Sequence, residues 1–409
     1  MIGTIKTTGL FAATGLATIM LMQPAMALEA DAFVERIATV YQAMGYDLTF
    51  GEATLEGDTI TVDGVTVGLA GVEEPMVLDT ELTFTGVVEY DDGSYTAESL
   101  TVPDIDTEFA TDPVGHLTLS DIVAEDLWLP ADGDTSSLAL LQTVGRIATG
   151  PLTITRDGAE VIKIDSMEAA SDFTYADDDS LESLVSTLAI TNIWADLSTV
   201  GEEEPEAGAI IEALGLTNIS GNITQTMSWT MADGHIVIDE FLFDFADVGA
   251  LDIKADFSGF TPAMLDKVYA LQNSDLDPTS EEAQAQQMMA GMEIAQALTI
   301  ASASIRYDDA GLAPKLLDLF AAQSGADRAT FVEGLKATLP AMIAESGIPA
   351  LADVVVPPVS EFLDDPQSLE IAINPATPTS LLVLGAAASN PASLIQALGL
   401  TVTANQKTK

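Results

Sequence analysis

The chain has 409 residues, no cysteine, and 64 acidic against 13 basic side chains, for a formal net charge of −51. That balance excludes nucleic acid as a natural partner and disfavours anionic lipid headgroups, since both would be repelled. Lacking cysteine, the chain has no disulfide framework and no thiol nucleophile, so its fold rests on burying the 48% of residues that are apolar.

Residues 1–27 read as a signal peptide. Lys6 precedes an apolar run through Leu10, Phe11, Leu16 and Ile19 to Met22, and Ala25-Met26-Ala27 supplies a small-x-small cleavage site. The expectation is export to the periplasm or secretion, cleavage after Ala27, and no integral membrane segment afterwards. Residues 31–44 place Phe33, Val34, Ile37, Val40 and Tyr41 at helical spacing, and Gly45 ends that helix.

From residue 46 onward a ten-residue unit recurs, with apolar side chains at offsets 0, 2, 5 and 9. It appears at Ile60, Val62, Val65 and Leu69 around Asp63-Gly64, and at Leu100, Val102, Ile105 and Phe109 around Pro103-Asp104. Leu117, Leu119 and Ile122 form a looser copy whose fourth position slips to Leu127. Leu188, Ile190, Ile193 and Leu197 carry it again, as do Leu298, Ile300, Ala303 and Tyr307. The clearest copies are Leu214, Leu216, Ile219 and Ile223, broken at Thr217-Asn218, and Ile236, Ile238, Phe241 and Phe245, broken at Asp239-Glu240. Steps of two are strand periodicity, and the step of three breaks it. One extra residue at the break, as in a β-bulge or bent corner, keeps all four apolar side chains on one face. Leu214, Leu216, Ile219, Ile223, Ile236, Ile238, Phe241 and Phe245 are the predicted apolar strand face.

Between the units, Asp91-Asp92-Gly93-Ser94 reads as a hairpin loop, and residues 152–164 as a second hairpin turning at Asp157-Gly158. Short helices are predicted at 138–148 and after Ser180, and the acidic residues 201–208 as a linker. Residues 210–257 read as the best-formed sheet segment. Helices then dominate at 262–271, 280–297, 312–323, 326–344, 359–363, 378–387 and 391–398, with strands at 298–307, 369–373 and 400–404. The resulting class is α+β: a long twisted, bulged antiparallel meander with Ala-rich helices packed on one side, concentrated in the C-terminal part. The domain reading is a signal peptide at 1–27, a β-rich region with a short leading helix at 28–200, the linker at 201–208, and a sheet segment followed by a helix-rich region at 209–409.

The chemistry-bearing residues point to no reaction. His116 and His235 each follow a glycine before a strand and read as turn residues, not as metal ligands. No Gly-x-Ser-x-Gly turn or phosphate-binding glycine loop occurs. The acidic clusters at residues 91–92, 132–134, 177–179 and 275–277 fit neither an EF-hand nor a nonapeptide calcium series. Trp128, Trp194 and Trp229 lie on or beside strands and read as core. No cofactor, metal or catalytic residue is assigned.

Leu117-Thr-Leu-Ser-Asp-Ile122, Leu188-Ala-Ile-Thr-Asn-Ile193 and Leu214-Gly-Leu-Thr-Asn-Ile219 resemble the degenerate strand repeats of AsmA-type envelope proteins of Gram-negative bacteria. The layout also looks like that of secreted alphaproteobacterial families of unknown function. The resemblance implies an elongated twisted sheet with an apolar inner face able to accommodate lipid. It departs at the N-terminus, where AsmA-type proteins keep a membrane anchor and this chain carries a cleavable signal. Two functions are in play. One is a non-catalytic envelope protein binding an apolar or amphipathic small molecule, with an envelope protein as a further partner. The alternative is a carboxylate-based hydrolase acting on a glycan or cationic substrate.

Overall fold

The computed structural model describes residues 28–69, 76–272, 280–345, 347–387 and 390–407, so the expected signal peptide lies outside the described residues. Among the described residues, twenty-one strands join in one sheet. It is an antiparallel meander, because nearly every strand bonds to a near neighbour in sequence. Thus Leu181–Asp196, Asn218–Thr230, His235–Phe245, Gly249–Ser258 and Thr299–Asp309 follow one another both along the chain and across the sheet. Helices gather in the C-terminal part: Pro262–Gln272, Glu281–Ala297, Leu312–Ser324, Arg328–Glu345 and Ala352–Asp364, then the short Leu381–Ala387 and Pro391–Leu398. None of the described helices is long and apolar enough to cross a membrane. The fold is α+β, as its alternating strand patterns and capped Ala-rich segments require.

Among the described residues, the N-terminal end holds the larger of two hydrophobic cores. Helix Ala30–Ala43 lays Phe33, Val34 and Ile37 onto Ile60, Val62, Phe84 and Tyr95. The Phe33 ring meets Phe84 and Tyr95 edge-on at centroid distances of 5.1 and 5.6 Å. Gly45, at φ +92°, lets the chain leave the helix and re-enter as a strand at once. The second core surrounds Trp229 near one end of the strands, with Leu181, Leu184, Met231 and Ile236 buried beside it. The Trp229 indole N–H donates to the Phe260 carbonyl at 2.9 Å, which satisfies its one polar atom.

Several strands break at a common line. Tyr95–Val102 continues as Ile105–Thr111 beyond Pro103-Asp104, and Val114–Leu119 as Ile122–Leu129 beyond Ser120-Asp121. Next to them Val144–Thr149 passes into Leu152–Arg156 at Gly150-Pro151, and Ala159–Ile164 into Ser166–Tyr175 at Asp165. Leu181–Asp196 bulges at Thr191-Asn192 in the same place. Polar groups restore the ladder bonds that a bend removes. Asp104 Oδ1 accepts from the Asp121 N–H at 3.3 Å, Asp165 Oδ2 from Asn192 Nδ2 at 2.8 Å, and Asn222 Oδ1 from the Asn192 N–H at 2.9 Å. Asp121 and Asn192 take the left-handed conformation, at φ 53° and 52°, that short polar side chains tolerate.

Several segments differ from the sequence reading, and the helix expected at 359–363 already begins at Ala352. Residues 181–196 are strand throughout, not a helix after Ser180, because Leu184 pairs with Trp229 on one side and Phe173 on the other. The helix expected at 138–148 is only Ser137–Leu141, and Val144–Thr149 is a strand inside the sheet. Residues 201–208 are not a linker. Val200–Glu203 and Pro205–Leu214 are helices, the second with Pro205 and Glu206 in its first turn and Gly215 as its left-handed cap. The strands on either side of this excursion bond directly to each other, so the sheet continues unbroken past the expected boundary. Acidic composition was legible there, but good helix formers in residues 206–214 decide the conformation.

Candidate binding face

In an antiparallel sheet, side chains directly opposite each other share a face, so the register maps every face residue by residue. One row begins under the N-terminal helix and runs through Ile60, Phe84, Leu100, Ala124, Ile147, Ala169, Leu188, Gln225 and Phe241. Beyond the bulge it resumes as Ile253, Ile305, Ile371 and Val402. A parallel row holds Thr149, Met167, Ile190, Ile223, Phe243, Leu251, Tyr307, Leu369 and Ala404. Across the bend line the same face carries Ile193, Gly221 and Phe245. Nearly all of these residues are apolar, and together they make a band crossing the strands.

Bulges hold that band in phase. Thr226 faces Glu240 whereas the next residue, Met227, faces Ile238, so Asp239 is the extra residue of its strand. Because of it, Ile236, Ile238, Phe241, Phe243 and Phe245 face Trp229, Met227, Gln225, Ile223 and Gly221, which alternate along one strand. The Phe241 and Phe243 rings lie 4.6 Å apart between centroids. The strand Thr299–Asp309 slips similarly, since Asp256 faces Ser302 and Phe257 faces Ile300. Gly221 leaves room for its neighbour, as a Cβ there would stand 2.6 Å from the Phe245 ring.

The band is covered at its first and last strands, and Leu138 and Leu265 cover the Trp229 end of the middle strands; the row from Ile147 to Ile371 is open. Helix Ala30–Ala43 covers the first strands, and helix Ala352–Asp364 covers the last, with Phe362 edge-on to Tyr307 at 6.5 Å. Ile147, Ile305 and Ile371 are 48%, 51% and 48% exposed. Leu188, Ile190, Ile223, Phe241, Phe243 and Ile253 are half-buried. From the strand of Ile147 to that of Ile371 the open part spans roughly 34 Å, at about 4.8 Å per strand.

The opposite face is polar. Arg146 bridges Glu125 at 2.6 Å and Glu168 at 2.8 Å, and Arg306 holds Asp308 through two bonds of 2.6 and 2.7 Å with Glu370 at 3.4 Å. The Arg146 guanidinium holds the Glu168 carboxyl below its ordinary range. Asp92, Asp178 and Asp196 are lowered by the hydroxyl and backbone N–H of Ser94, Ser180 and Ser198, and Asp327 by the backbone N–H and hydroxyl of Thr330. In each of these carboxyls a local hydrogen-bond donor favours the charged form. The two histidines do not meet each other. His116 Nε2 lies 2.6 Å from Asp106 and His235 Nε2 lies 2.8 Å from Asp256, each across to a neighbouring strand. No group of metal-ligating side chains forms among the described residues.

Of the residues expected on the strand face, Ile219, Ile223, Ile236, Ile238, Phe241 and Phe245 lie on it. Leu214 and Leu216 do not. Leu214 is the buried last residue of a helix and Leu216 follows its glycine cap, with its N–H bonded to the Ile211 carbonyl at 3.0 Å. The spacing of that copy therefore joins a helix end to a strand start. The sequence reading missed Ile147, which lies in the segment read as a helix, Ile305, which falls between the third and fourth positions of the copy ending at Tyr307, and Ile253 and Ile371, whose plain alternation carries no break. A family described as an uncharacterized protein matches residues 242–405. That stretch holds Phe243, Ile253, Ile305, Ile371 and Val402, the C-terminal part of the band. No curated protein matches the chain.

Proposed function

We propose that this protein is a non-catalytic exported envelope protein that binds an apolar or amphipathic molecule along the open band of its sheet. The observation that carries this is the run of half-exposed isoleucines, Ile147, Ile305 and Ile371, in register with the half-buried Leu188, Phe241 and Ile253. An apolar surface of this extent, rimmed by polar residues, marks an interaction site. The long stripe suits a hydrocarbon chain better than a compact solute. With the acidic excess around it, the fitting headgroup is neutral, zwitterionic or cationic. The export assignment rests on the signal-like residues 1–27, and the resemblance to AsmA-type repeats points to the same ligand class.

The test is titration of the purified protein with a monomeric fluorescent alkylammonium probe, alongside organic extraction of protein from its own host. Saturable binding, weakened at least about tenfold by Ile305→Asp with the fold intact, is the expected result. Absence of saturable binding together with no extractable amphiphile would overturn the reading.

A further inference from the structure

Helix Glu281–Ala297 is apolar on the side that faces away from the protein. It is well specified locally: Ser280 Oγ caps it by accepting from the Ala283 N–H at 3.1 Å, Glu281 and Glu282 occupy its first turn, and its Ala, Gln, Glu and Met are strong helix formers. Its inward side is narrow, with Ala283 buried and Ala290, Ile294 and Ala295 half-buried. At 3.6 residues per turn, Ala285, Met288, Met289 and Met292 form a second stripe on the opposite side. Met288, Met289 and Met292 are 71%, 67% and 60% exposed. The neighbouring helix Leu381–Ala387 adds exposed Leu382 and Val383. Neither helix contains Lys or Arg.

We infer that this outward stripe seats the protein on a zwitterionic bilayer surface. Charge selects the occupant. A second copy of a chain with a net charge of −51 is repelled, and so is an anionic membrane. A phosphatidylcholine or phosphatidylethanolamine headgroup carries its ammonium outermost, where Glu281 and Glu282 stand at the start of the stripe, while Glu293 beside it is paired with Lys267. Flexible, polarizable methionine side chains adapt to an irregular apolar boundary such as the one beneath those headgroups. This surface lies on the helices and is independent of ligand binding on the sheet.

The experiment is flotation of the purified protein with phosphatidylcholine vesicles, comparing wild type with the combined variant Met288→Gln, Met289→Gln and Met292→Gln. Glutamine keeps length and helix propensity at exposed positions, and circular dichroism checks the fold. Wild type should float, the triple variant should partition at least about tenfold less, and replacing part of the lipid by phosphatidylglycerol should weaken binding. Ile305→Asp, which attacks the sheet face, should float like wild type. The proposal is overturned if wild type stays unbound, if the triple variant floats equally, if anionic lipid strengthens binding, or if Ile305→Asp abolishes flotation.

Discussion

Truncating an isoleucine on the open band should cost far less stability than truncating one in the Trp229 core, and Ile305 and Ile236 make the comparison. Ile305 is 51% exposed between Ile253 and Ile371, while Ile236 is 7% exposed between Trp229 and Phe257. Fully burying such a side chain contributes about 1.5–3 kcal/mol, so the half that Ile305 keeps from water amounts to about 1 kcal/mol. No cavity follows its loss, because one side already faces solvent. Ile236→Ala loses the whole transfer term and leaves a cavity against Trp229, for about 2–5 kcal/mol. Urea denaturation followed by Trp fluorescence and far-ultraviolet circular dichroism reads both variants. Equal costs would mean that Ile305 is covered in solution, and the open band would have to be abandoned.

Deleting Asp239 removes the bulge and leaves Ile236, Ile238, Phe241, Phe243 and Phe245 in plain alternation on the apolar face, so the variant should still fold, whereas deleting Leu242 moves the residues after it to the opposite faces and should collapse soluble yield and thermal stability; equal losses from the two deletions would refute the bulge assignment. Thr149 lies on the apolar face with its buried hydroxyl unpartnered among the described residues. Thr149→Val should therefore raise the denaturation midpoint, by about 1 kcal/mol in stability, and a loss would show that the hydroxyl is satisfied. The carboxyls of Asp92, Asp178, Asp196 and Asp327 are lowered in the fold, so the stability they supply is complete above their unfolded pKa of about 3.9 and is lost as pH falls through the lower folded values. Melting scans below pH 4 should show that acid loss, less steeply in a variant carrying Ser94→Ala, Ser180→Ala and Ser198→Ala; an identical acid limb would reject the assignment. Added sodium chloride should raise the melting temperature by screening the net charge of −51, and a fall would show that ion pairs such as Arg146 with Glu125 and Glu168 outweigh the repulsion.

The strand face was legible wherever a break residue announced itself. Asp239-Glu240, Thr191-Asn192 and Pro103-Asp104 interrupt an otherwise alternating pattern, and each marks a bulge or bend in the sheet. The Leu214 copy misled because spacing alone does not distinguish a strand corner from a helix end followed by a strand. Gly215, a helix-terminating residue between two leucines, was the local signal that separates them. Residues 181–188 misled for the converse reason: Leu184 and Leu188 satisfy helical spacing and strand alternation alike, and only pairing with Trp229 and Gln225 resolves it. Which part of the face stays uncovered was not legible at all. It depends on where helices Ala30–Ala43 and Ala352–Asp364 come to rest, a tertiary outcome that strand periodicity does not carry.

The meander has a consequence for how the molecule comes apart. Because each strand is held mainly by the strands just before and after it in sequence, stability is distributed as a chain of neighbouring contacts, as in repeat proteins. Amide exchange should then be fastest at the terminal strand Thr401–Ala404 and slow steadily toward Asn218–Thr230, since opening an end strand sacrifices one interface and opening a middle strand sacrifices two.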